Sequence, residues 1–167
     1  MNNCKSFKPS IDNNSRILIL GSMPGVKSLE EQQYYAHPQN RFWKVMSTIC
    51  NEQQLPKFDY KTRLKILLNS NIALWDTIKS CKREGSLDSD IQNEKPNDIR
   101  KLLKKYPNIQ TICLNGNKSY SAFKKYFPDF WRNMLAVKCH QQVQLMPDIA
   151  WIFLYENGLI FYKEMKS

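Results

Sequence analysis

Apolar residues along this chain follow two periodicities, and the alternation between them predicts the architecture. Arg16-Ile17-Leu18-Ile19-Leu20 is a short, nearly continuous apolar run stopped by Gly21, the pattern of a strand buried on both faces in a parallel sheet. Phe42, Val45, Met46 and Ile49 recur at helical spacing, and a second amphipathic run covers Leu64 to Leu68. Ile72-Ala73-Leu74-Trp75 and Thr111-Ile112-Cys113-Leu114 read as further buried strands, the second preceded by a helical run from Ile99 to Tyr106. A helix from Ser119 is expected to stop at Phe127, before Pro128. Leu135-Ala136-Val137 and Gln142-Val143-Gln144-Leu145 supply the last strand material of the core. Trp151 to Tyr155 and Leu159 to Tyr162 flank Glu156-Asn157-Gly158, which reads locally as a hairpin turn or as part of an apolar closing helix. Strand, helix, strand repeated is the signature of an α/β fold.

With 167 residues, 42% of them hydrophobic, the chain is long enough for one buried core and too short for two ordinary domains. Residues 1–167 are therefore read as a single domain, with its core at about 16–147 and an atypical C-terminal segment at 148–167. Twenty-five Lys and Arg against fifteen Asp and Glu leave a net charge of +10, which favours a polyanionic partner such as nucleic acid. No run approaches the roughly 20 apolar residues of a membrane span. The first ten residues carry no apolar signal core, so a cytoplasmic location and no membrane association are expected.

Cys4, Cys50, Cys81, Cys113 and Cys139 are odd in number and widely spaced, and His37 and His140 are the two histidines. Neither a disulfide framework nor a compact metal site follows from that spacing, so no metal and no cofactor are expected.

In an open parallel sheet ligands bind at the carboxyl ends of the strands, here the loops after Leu20, Trp75 and Leu114. The first loop reads Gly21-Ser22-Met23-Pro24-Gly25, then Ser28, then Tyr34-Tyr35-Ala36-His37-Pro38-Gln39-Asn40-Arg41-Phe42-Trp43. The second includes Asp76 and Gly85-Ser86-Leu87-Asp88-Ser89, and the third is Asn115-Gly116-Asn117. Taken singly, these residues have ordinary explanations: Gly and Asn-Gly make turns, Asn40 caps a helix, and Tyr35 packs in a core. Amides, aromatics and glycines coinciding at three strand ends point instead to a binding pocket. The glycine-rich turn lacks the Lys-Ser/Thr pair of a P-loop.

These ordered segments resemble the uracil-DNA glycosylase superfamily. Ala36 to Trp43 is similar to the segment found in mismatch-specific uracil glycosylases. Gly21 to Gly25, Tyr34 to Pro38, Leu74-Trp75-Asp76 and Gly85 to Ser89 are similar to its hypoxanthine (deoxyinosine) DNA glycosylase branch. The resemblance spans roughly residues 16 to 147. It implies a three-layer α/β/α sandwich around a central four-stranded parallel sheet. It also implies a monofunctional enzyme that flips a deaminated base from DNA, hypoxanthine before uracil, and hydrolyses its N-glycosidic bond; a monomer is expected.

By the same resemblance Asn40 orients the attacking water, because the uracil-cleaving branches carry Asp or Asn where this chain has Met23 and a thioether orients water poorly. Tyr35 stacks on the extruded base, Asn115 reads its edge, and the backbone at Ser22 and Met23 lines the pocket. Gly25 and Ser28 contact a flanking phosphate, while Asp88 and Ser89 read as loop or cap residues. The loop that presses into the duplex aligns with Leu145, Met146 and Pro147, but its usual serine-rich part is replaced by Asp148-Ile149-Ala150. That departure leaves a non-catalytic DNA-binding relative as the rival reading. No lysine lies in a motif for a Schiff-base nucleophile, so no strand-cleaving lyase step is expected.

Overall fold

The computed structural model describes residues 2–133 and 136–139. Its elements run β1 (Asn2–Lys5), β2 (Ile17–Gly21), α1 (Val26–Glu31), α2 (Phe42–Ile49), α3 (Tyr60–Asn69), β3 (Ile72–Asp76), β4 (Ile78–Arg83), β5 (Gln92–Pro96), α4 (Ile99–Lys105), β6 (Thr111–Asn115), α5 (Asn117–Tyr126), α6 (Pro128–Asn133) and β7 (Ala136–Cys139). Four strands pair in the order β3-β2-β6-β7. Every neighbouring pair in that sheet is parallel, and the helical crossovers that parallel strands require account for the helix runs between them.

Strand pleating sends alternate residues to opposite faces, so each strand feeds two cores. Leu18, Leu20, Ile112 and Leu114 pack on one face against Ile99 and Leu102 of α4 and Phe123 of α5. Ile19, Ile72, Leu74 and Cys113 pack on the other against Phe42, Trp43 and Met46 of α2 and Leu67 of α3. Helices on both faces of a four-stranded parallel sheet make the expected three-layer α/β/α sandwich. Its central strand is apolar on both faces for this reason.

A second sheet, antiparallel in the order β1-β4-β5, has no counterpart in the sequence reading. It packs Cys4, Ile78, Cys81 and Ile91 against Met23 and Ala122, and so lies beneath the first strand-end loop. The helix starts have local causes. Asp59 accepts from the Thr62 backbone at 3.0 Å and from its hydroxyl at 2.6 Å, opening α3 four residues before the expected run. Pro128 ends α5 as expected and then opens α6, where its fixed φ and missing N–H suit a first turn. Ala136–Cys139 forms β7; Gln142 to Leu145 and the Trp151 to Tyr162 segment lie outside the described residues. No helix among the described residues is long and apolar enough to cross a membrane.

Candidate active site

The parallel strands β2, β3 and β6 end side by side at Gly21, Asp76 and Asn115. The loop between α1 and α2 folds back over them. Asn115 Nδ2 donates to the Tyr35 hydroxyl at 3.0 Å, and the Tyr35 ring stacks on Phe42 with centroids 3.8 Å apart and planes 20° from parallel. Tyr35 has φ of 55°, a left-handed conformation that is costly for an aromatic residue and is held here by partners at both ends of the side chain. Phe42 is braced edge-on by Trp43 at 5.1 Å, and Trp43 Nε1 donates to the Tyr34 carbonyl. The aromatics are thus both core and site, which the sequence treated as alternatives.

Gly21 is required by close approach. A Cβ placed there would lie 2.7 Å from Asp76 Oδ1 and 3.2 Å from Tyr35 Oη, so these two side chains converge on one point. Asp76 is 3% exposed, and its Oδ2 has no hydrogen-bond partner among the described residues. Burial, reinforced by the negative charge of Asp88 and only partly opposed by Arg83, pushes its carboxyl up to about 8. Asp76 is therefore mostly neutral at pH 7, able to donate one hydrogen bond and accept another. In the sequence Asp76 stands only as the end of the Leu74-Trp75-Asp76 motif, with no role of its own. The signal was its place: a carboxylate ending an apolar strand at the ligand-binding edge of the sheet.

Backbone hydrogen bonds hold this edge in place. Thr77 N and Ile78 N donate to the carbonyls of Gly21 and Ser22 at 2.8 and 3.0 Å. Asn97 Nδ2 donates to the Asp76 carbonyl at 2.8 Å. Ser119 gives its proton to the Leu20 carbonyl at 2.7 Å, so the 2.9 Å contact between Thr77 and Ser119 takes its proton from Thr77. The ends of β2 and β3, the start of β4 and α5 are locked by a buried network with its hydroxyls satisfied.

The remaining sequence candidates occupy distinct places. The Met23 side chain is 6% exposed and packs away from the pocket with Ile78 and Ala122, leaving its backbone to the loop. Ser22 donates to Asp88 Oδ1 at 2.7 Å, which gives Asp88 the loop-holding role expected for it. Gly25 lies against Ser86. Ser28 is buried, and its hydroxyl accepts from Ala36 N at 3.1 Å, tying α1 to the loop that carries Tyr35. Asn40 is exposed, with Oδ1 accepting from Phe42 N at 2.9 Å at the start of α2. The N-cap position itself is Arg41, so this is a local turn bond one residue ahead of the helix; a carbonyl oxygen has two lone pairs, and the bond leaves room for a second donor such as water. Asn40 borders a cleft of about 580 Å³ that Tyr35, Arg41, Lys44 and Arg63 also line. Leu145, Met146 and Pro147 lie outside the described residues.

A stacked aromatic, the Asn115 amide and a neutral acid thus lie together at the carboxyl edge of the parallel sheet. The profile of the Uracil DNA glycosylase superfamily matches residues 9–161. The chain belongs to that superfamily of DNA glycosylases, whose substrate is DNA. It is 43% identical over 115 residues to the hypoxanthine DNA glycosylase of Methanosarcina barkeri, an alignment covering 69% of this chain and 72% of that protein. A hypoxanthine DNA glycosylase of Methanosarcina acetivorans is 41% identical over 115 residues, with the same coverage. Among solved structures, the solution NMR structure of a candidate uracil DNA glycosylase from M. acetivorans superposes with a TM-score of 0.69 at 32% identity, covering 96% of this chain and 94% of that one.

Proposed function

We propose that this glycosylase acts on deaminated purine in DNA, hypoxanthine first, by extruding the deoxyinosine nucleotide and hydrolysing its N-glycosidic bond without a lyase step. The observation that carries this reading is the Tyr35 ring, held by Phe42 and Asn115 beside the Asp76 carboxyl. An aromatic face accepts a purine as readily as a pyrimidine. The neutral acid and the Asn115 amide offer donors and acceptors of the kind a Watson–Crick edge requires. The names of the two Methanosarcina relatives support the same substrate.

Bond cleavage leaves the sugar oxocarbenium-like and the departing base negative. A neutral Asp76 donates to that base, where an ionised one would oppose it. Asn40 holds the attacking water through the Oδ1 lone pair that its bond to Phe42 N does not use. Ser22 and Met23 line the pocket through their backbone, and Gly25 lies where a flanking phosphate would pass. Ser28 acts on that phosphate path through the loop it ties down.

Duplexes carrying one deoxyinosine, deoxyuridine or deoxyxanthosine test the substrate directly. Alkali-labile sites are expected to form fastest at deoxyinosine. Equal or faster cleavage at deoxyuridine opposite guanine would install the second reading, a mismatch-specific uracil glycosylase, which the name of the structural relative favours.

The water-holding role separates from the cap by substitution. Asn40→Ala is expected to lower single-turnover cleavage more than tenfold, about 1.4 kcal/mol of barrier or more. Asn40→Ser, which keeps a capping oxygen, should recover stability but not cleavage. If Ser restores both, or if neither variant lowers cleavage, Asn40 serves only to start α2; a wild type that cleaves none of the three substrates would install the non-catalytic reading.

A further inference from the structure

We propose that Leu87 is a duplex-opening wedge, inserted into the base stack beside the extruded nucleotide. The inference rests on base extrusion as read above, but not on which base is extruded. Leu87 is 67% exposed, and with Val26 at 40% it forms the pair of exposed large hydrophobic residues among those described. A lone exposed leucine calls for no explanation. Val26 opens α1 and Leu87 lies on the loop between β4 and β5, and the two segments are fastened to each other at the pocket rim, which makes a local apolar projection.

Three contacts do the fastening. Ser22 donates to Asp88 at 2.7 Å, Val26 N donates to Ser86 Oγ at 2.9 Å, and Arg83 Nη2 donates to the Pro24 carbonyl. Arg83 is 1% exposed, so the base of the loop is anchored within the protein. Gly85, with φ of 72° and open space where a Cβ would lie, turns the chain outward just before the tip. Asp88 begins a short 3-10 turn spanning Asp88–Asp90, which stiffens the descending side. The tip is therefore held from both sides.

Position supplies the partner. Asp88 is adjacent to Leu87 and binds Ser22, and Ser22 follows the Gly21 over which Asp76 and Tyr35 converge. Leu87 thus stands on the rim of the pocket that receives a flipped nucleotide, where a duplex has a gap to fill. Apolar side chains inserted between base steps are a general means of unstacking DNA. Phosphates do not suit this tip: Glu84, Asp88 and Asp90 neighbour it in sequence, whereas the interior of a base stack is apolar and uncharged.

The test uses a duplex with a tetrahydrofuran abasic analogue next to 2-aminopurine, whose fluorescence rises on unstacking and which depends on no particular damaged base. At equal occupancy, checked by anisotropy, Leu87→Ala should give less than half the wild-type fluorescence rise, and Leu87→Phe should retain it. With deoxyinosine, the ratio of double-strand to single-strand cleavage should fall about tenfold in Leu87→Ala. Wild-type fluorescence in Leu87→Ala would overturn the wedge and leave the patch to a protein contact. Absent deoxyinosine cleavage together with a Leu87-dependent fluorescence signal would instead reject hypoxanthine as substrate and uphold the wedge.

Discussion

Asp76→Asn is expected to stabilise the protein at alkaline pH and to flatten its pH dependence. An aspartate in the unfolded chain titrates near 3.9, whereas in the fold burial pushes Asp76 up to about 8. Between those values the folded protein keeps a proton that the unfolded chain has lost. Stability therefore falls as pH rises, by up to about 1.4 kcal/mol per pH unit, and levels off above the folded value. Below about pH 4 both states are neutral and the group contributes no pH dependence. Replacing the carboxyl by an amide removes this slope, so melting curves should separate progressively from pH 5 to pH 9, reaching a gain of about 5 °C or more. Cleavage by the wild type should also decline above pH 8, as a charged Asp76 opposes the departing base, and the variant should lose that decline. Parallel melting profiles for the two proteins would show that Asp76 is not held neutral.

Gly21→Ala should cut single-turnover cleavage by about a hundredfold, or roughly 2.7 kcal/mol of barrier. The added methyl falls 2.7 Å from Asp76 Oδ1 and 3.2 Å from Tyr35 Oη, distances that force one or both groups to move. Asp76 has little room, since Asn97 pins its carbonyl and its side chain is buried. Displacing Tyr35 loosens the Asn115 hydrogen bond and the Phe42 stack together. Misplacement of about 1 Å is enough for a loss of this size. Circular dichroism should show the fold retained, because β2 keeps its pairing with β3 and β6 on either side. Cleavage at the wild-type rate would mean that the convergence over Gly21 plays no part in the reaction.

The central sheet was legible because its strands are buried on both faces, and an apolar run such as Ile17 to Leu20 has few other uses. Helices α2 and α3 were legible through their periodicity, and α5 through the proline that stops it. The antiparallel sheet was not. Its strands are short and half-exposed: Asn2–Lys5 is almost wholly polar, and Gln92–Pro96 carries Glu94, Lys95 and a proline. The pairing of β1 with β4 joins partners about 80 residues apart in sequence, such as Cys4 and Cys81. The site was legible as a set of loops, with Tyr35 and Asn115 indeed brought together by a hydrogen bond. Asp76 escaped because a lone carboxylate usually reads as solvated, and only the tertiary structure shows it buried and short of a partner. The roles of Ser86 and Asp88 as fasteners likewise depend on contacts across 60 and 66 positions.

The left-handed backbone at Tyr35 sets where the entropy of recognition is spent. With its φ fixed at 55°, its ring against Phe42 and its hydroxyl bonded to Asn115, the proposed stacking platform is ordered before DNA arrives. Arrival of a base then freezes few protein rotors, so the cost of ordering falls on folding rather than on capture. A receptor already in its bound shape has little of its own to rearrange, and the tempo of encounter passes to the nucleic acid. Damaged pairs that open most often on their own should therefore be the first to be cleared.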